Sequence, residues 1–121
     1  MKLFLIVLCC LVLAACTTAR PGPEMFDSAE NIIQMAVDAD GDELAPVEMR
    51  FAREKLEFAH KGMEKQKYEV AMYLVEEAEI NAELAIVKSH AAKARRRANE
   101  LGKSNEALST SLHETFGDDF Q

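Results

Sequence analysis

Apolar positions follow a different rule in each part of the chain. Leu3 to Cys16 is an almost unbroken apolar run behind a single basic residue, Lys2. Thr17 to Glu24 is small and polar with two prolines, the composition of an extended tether. Beyond it nothing alternates with period two, and Ala, Glu, Lys and Leu recur at helical spacing. This pattern predicts an all-α fold: a helical hairpin with a short N-terminal helix and one long C-terminal helix.

The first helix is expected from Asp27 or Ser28. Asp27 and Glu30 have capping-box spacing, with Phe26 placed for a hydrophobic staple. Ala29, Ile32, Ile33, Ala36 and Val37 make its apolar face, and Asp38-Ala39-Asp40-Gly41-Asp42 ends it. The second helix starts at Ala45-Pro46, since proline suits a first turn. Its stripe is Met49, Ala52, Leu56, Ala59 and Met63, widened by Phe51 and Phe58, and a turn follows before Tyr68.

From Tyr68 to about His113 there is no proline and one glycine, so about 45 residues predict ~65 Å of continuous helix. One stripe on it is nearly all small: Ala71, Leu74, Ala78, Ala82, Ala85, Ser89 and Ala92. The other keeps a 3-4 repeat of the coiled-coil kind: Val70, Tyr73, Ile80, Leu84, Val87, Ala91, Ala94, Ala98, Leu101, Leu108 and Leu112, with polar breaks at Glu77 and Asn105. Length arguments place the small stripe on the second helix and assign the larger residues from Val70 to Val87 to the first. Leu101, Leu108 and Leu112 then have no partner within the chain. That end frays, bends back at Gly102, or associates with another molecule, and Asn105 would favour a defined register in a coiled coil.

Leu13-Ala14-Ala15-Cys16 resembles the lipobox that closes a bacterial lipoprotein signal peptide. An apolar run of about 14 residues is shorter than the roughly 20 of a spanning helix. The resemblance implies cleavage before Cys16 and lipid attachment at that residue, leaving no free thiol and about 105 residues for one small domain. The expected division is 1–15 signal peptide, 16–26 lipid anchor and flexible tether, 27–92 three-helix domain, and 93–121 extended helix with a polar tail. Thr17 is not the Asp that retains many such lipoproteins at the inner membrane. The expected place is therefore the outer membrane, lipid-anchored and facing the periplasm.

The formal net charge of −7 argues against nucleic acid as a partner. Chemistry is sparse. His60, His90 and His113 lack metal-site spacing. Asp38, Asp40, Asp42 and Glu43 surround Gly41, but an EF-hand loop counted from Asp38 puts Met49 where the bidentate glutamate belongs. A solvated acidic helix terminus is expected instead. Glu76, Glu77, Glu79 and Glu83 have no cleft to hold their acidities apart. Met49 and Met63 are expected in the core. The best interaction candidates are Arg95, Arg96 and Arg97, beside Lys93 and Lys103, together with the Leu101, Leu108 and Leu112 seam. No catalytic residues, metal, cofactor or small-molecule substrate are expected.

Two resemblances to known families attach to these residues. Lys67-Tyr68-Glu69-Val70-Ala71, Leu74, Glu77-Ala78 and Ala82 look like the second helix of a tetratricopeptide repeat, though no 34-residue period recurs. Leu44-Ala45-Pro46-Val47-Glu48, Ala52, Lys55-Leu56, Ala59, Tyr68, Ala71, Glu77-Ala78 and Ala82 resemble the bacterial lipoproteins carrying domain of unknown function 4398, over roughly residues 29–92. This chain has Gln66-Lys67-Tyr68 where that family more often has Gly-Asp-Tyr. The resemblance implies a helical envelope lipoprotein and supplies no catalytic residue. The expected function is a non-enzymatic structural or protein-interaction module, held to the membrane by its lipid, with a protein partner or self-association. The alternative is an accessory binding subunit of an envelope enzyme or transport complex.

Overall fold

Three helices meet on alanine. The structure, a computed structural model, describes residues 21–117. The leader, Cys16 with the first part of the tether, and the last four residues lie outside the described residues. A 3-10 turn, Pro23–Phe26, leads into α1 (Asp27–Asp38), the one-turn α2 (Gly41–Leu44), α3 (Pro46–Glu64) and α4 (Tyr68–Phe116). No strand occurs among the described residues.

α3 and α4 form an antiparallel hairpin, and α1 lies in the groove between them. One buried cluster joins Ala36 of α1 to Met49 and Ala52 of α3 and to Ala82 and Ala85 of α4. A second joins Phe26 and Ala29 to Ala59, Val75 and Ala78. These pairings make α1 parallel to α4 and antiparallel to α3. Met49 and Ser89 are the largest wholly buried side chains, so the core is thin and built by backbone approach rather than by bulk. Gly62 belongs to the same contact, since a Cβ there would sit 3.3 Å from the Cβ of Ala71.

The small stripe of α4 therefore faces α3, as its spacing indicates, but α1 does not take the larger residues. It packs beside the same alanines, against Val75 and Ile86. Val70, Tyr73, Ile80, Leu84 and Val87 remain exposed. Periodicity marks both faces of α4 as apolar; contact distance chooses between them, because two backbones come close only over alanine. Phe51 and Phe58 also stay at the surface, with Arg50 and Lys61 lying over their rings at 5.1 and 5.4 Å.

The helix ends correct a further expectation and add a detail. Asp27 is already helical, its N-cap position is Phe26, and no side chain caps α1. Phe26 is instead buried and stacked on His60 at 3.9 Å between ring centroids. The left-handed residue after α1 is Asp40 (φ 62°), not the adjacent glycine. Gly41 is required for space, because a Cβ there would lie 2.6 Å from the carbonyl oxygen of Ala36. α4 passes through Gly102 unbroken, so the chain does not fold back at that point.

The α3–α4 turn shows what Gln66 and Lys67 do where the resembled family more often has Gly-Asp. Gln66 N–H donates to the Met63 carbonyl and Lys67 N–H to the Gly62 carbonyl, the paired bonds of a Schellman motif. Gln66 holds its left-handed position with φ 58°, where a Cβ costs about 1 kcal/mol and glycine does not. Lys67, the N-cap residue of α4, has no side-chain acceptor to offer, whereas aspartate there would. Gln66→Gly and Lys67→Asp should each raise stability by about 1 kcal/mol in urea unfolding followed by circular dichroism. Ala82→Leu, which forces bulk between α1, α3 and α4, should lower it by about 1–3 kcal/mol on the same measurement.

Candidate interaction surface

The acidic corner after α1 and the basic stretch of α4 come together. Lys93 Nζ lies 2.8 Å from Asp40 Oδ2, and Arg96 reaches Glu43 at 3.3 Å. Arg53 of α3 donates two hydrogen bonds to Asp42, at 2.6 and 2.9 Å, the bidentate form available to a planar guanidinium. Lys88 of α4 bonds Glu48 of α3. Asp38 accepts from Gln34 at 3.0 Å. The corner is a clamp joining α2, α3 and α4, each carboxylate engaged by a donor from the chain itself. Among the described residues no group of three His, Cys, Asp or Glu side chains is arranged to hold a metal.

This clamp divides the three arginines. Arg96 turns toward Glu43, while Arg95 and Arg97 are exposed and form no ion pair among the described residues. The clamp itself was missed in the sequence. The available signal was Lys93 and Arg96, three residues apart and therefore on one helix face, standing level with an acidic turn.

The second surface is apolar. α4 carries its own domain on one side, through Ala71, Val75, Ala78, Ala82, Ala85 and Ser89. On the opposite side Val70, Tyr73, Ile80, Leu84, Val87, Leu101, Leu108 and Leu112 are all exposed. Val87 and Leu101 keep 64% and 65% of their surface in solvent, so neither is a partly covered core residue. Every residue of α4 from 94 onward is exposed, and the helix runs about 30 Å past the hairpin. Glu77, the polar break in this face, is held to one side by Lys55 (3.2 Å) and Tyr73 (3.1 Å).

The remaining candidates have ordinary roles. His60 stacks on Phe26, with its Nε2 3.9 Å from Glu30. Met49 is buried and Met63 half-buried. The surface depressions are open grooves, such as the one lined by Asp42, Arg50, Arg53, Glu57 and Phe58. No helix among the described residues is long and apolar enough to cross a membrane.

The clamp sets a pH dependence. Hydrogen bonds from Arg53 lower the pKa of Asp42 below its ordinary value near 3.8, and those from Lys88 lower that of Glu48 below 4.5. A carboxylate lowered on folding stabilises the fold above its unfolded value, and that contribution is lost as pH falls through the folded one. Glu48→Gln should therefore unfold at lower urea than the parent at pH 6, and the difference should shrink as pH falls below the ordinary glutamate value of 4.5.

A family model described as a domain of unknown function (DUF4398) matches residues 24–101. It spans the 3-10 turn, α1 to α3 and the first two thirds of α4, and stops short of Leu108 and Leu112. No curated protein and no solved structure matches the chain.

Proposed function

Since the chain belongs to the DUF4398 family, whose description assigns no activity, we propose that it is a non-enzymatic interaction module of the bacterial cell envelope. In this reading Cys16 carries lipid at the outer membrane and the helical domain faces the periplasm. One observation carries the interaction role: a long apolar face on α4, opposite the side that packs on its own domain. Exposed apolar surface of this extent and regularity marks a site of association. The envelope location rests on Lys2, the short apolar run and the Leu13-Ala14-Ala15-Cys16 ending. Acyl chains at one cysteine would hold a domain that contributes no spanning helix among its described residues.

A second reading, an accessory subunit of an envelope enzyme or transport complex, is favoured by Arg95 and Arg97. Both project beyond the hairpin with their charge unmatched among the described residues. They suit an acidic partner, and Leu101, Leu108 and Leu112 lie close by on the same helix.

Cells expressing the chain and fed radioactive palmitate should label the parent and not Cys16→Ser, with the label in the outer-membrane fraction. Equal labelling of both would remove the envelope assignment.

A further inference from the structure

The exposed face of α4 is complementary to itself when a second copy runs in the opposite direction. From Val70 to Leu112 the 3-4 spacing has no slip, the period with which helices pair in a coiled coil. Large and small residues are segregated along it: Ile80, Leu84 and Val87 come first, then Ala91, Ala94 and Ala98. The flanking charges are segregated as well, with Glu76 and Glu83 in the first half and Arg95 and Arg97 in the second. A parallel pair would stack three alanine layers on themselves and set Glu77 against its own copy.

The geometry points to an antiparallel homodimer through this face, centred near residue 89. This rests on the interaction-module reading and names its partner, a second copy of the chain. In this register Ile80 meets Ala98, Leu84 meets Ala94, Val87 meets Ala91 and Val70 meets Leu108, each pair joining the two copies. The three inner pairs set a large residue on a small one, while Tyr73 meets Asn105. Glu83 of each copy flanks Arg97 of the other. Lys88 flanks its own copy at the dyad, where its charge is already matched by Glu48 within the chain. Glu77, held aside by Lys55, lies against Leu101 rather than a second carboxylate.

The domain does not obstruct this pairing, because α1 and α3 cover the opposite side of α4. The contact from Val70 to Leu108 is about 57 Å long and one helix, about 10 Å, wide. That is roughly 600 Å² of footprint per copy, which reaches the ~1,200 Å² total at which specific interfaces begin. It also accounts for the second half of α4. A helix without tertiary contacts is marginal in water, and α4 continues fully exposed from 94 to 116.

Full-length chain in non-ionic detergent should sediment as a dimer. Leu84→Glu with Val87→Glu should shift it to monomer with the hairpin domain still folded, since both side chains are exposed and hold nothing in the domain, and any loss of helicity should be confined to α4 beyond residue 94. Glu83→Arg and Arg97→Glu should each weaken dimerisation at least tenfold, and the two combined in one chain should restore it. Direction is read by oxidation in a chain whose Cys9, Cys10 and Cys16 are serine. A mixture of Ile80→Cys and Ala98→Cys chains should cross-link far better than either alone. Strong linkage of Ile80→Cys to itself, or a parent chain monomeric at 100 μM, would overturn the proposal. Palmitate labelling is independent of this result, so a labelled monomer sinks the pairing and leaves the envelope module standing.

Discussion

Close approach over alanine is the contact on which this structure depends. Ala29 and Ala36 of α1, Ala52 and Ala59 of α3, and Ala78, Ala82 and Ala85 of α4 are all fully buried. Each offers little area to bury, so the stabilisation comes from many backbone-distance contacts rather than from large side chains. Gly41 and Gly62 extend the same logic to the two corners, where a single Cβ would press on Ala36 and Ala71 respectively. A core of this kind fixes helix spacing tightly and leaves most large apolar residues elsewhere.

Elsewhere means the surface. Because α4 spends its alanine side on the hairpin, its larger residues face away, and the helix has an apolar face on both sides. The acidic corner shows the converse economy. Asp40, Asp42 and Glu43 have the look of a cation site, yet Lys93, Arg53 and Arg96 meet them one by one. Charges that suggested chemistry hold three helices in register, while side chains that suggested a core are available for association. Domain and docking face thus share one helix without competing for the same residues.

Much of this was legible from residue order. Pro46 at the start of α3, the turn before Tyr68 and the unbroken length of α4 follow from local rules, and the structure places them where those rules do. One end was misread. The Asp27–Glu30 spacing suggests a cap, but Phe26 is drawn into the core beside His60 and carries the chain in through a 3-10 turn. The placing of Phe26 depends on His60, a neighbour distant in sequence, which local patterns do not contain. At the other corner Asp40 takes the left-handed conformation and Gly41 answers a steric demand from Ala36.

Periodicity, composition and turn chemistry by themselves determined that the chain is all-helical, where its helices run, and that α4 has two apolar stripes. These follow from intrachain spacing, which any single helix expresses without a partner. Only the tertiary structure decided which stripe is core, where α1 docks, and that Lys93 and Arg96 serve the acidic corner while Arg95 and Arg97 do not. Those choices turn on interhelical distance, set where Ala36, Ala52 and Ala82 converge from three separate segments. No single segment carries that distance in its own sequence.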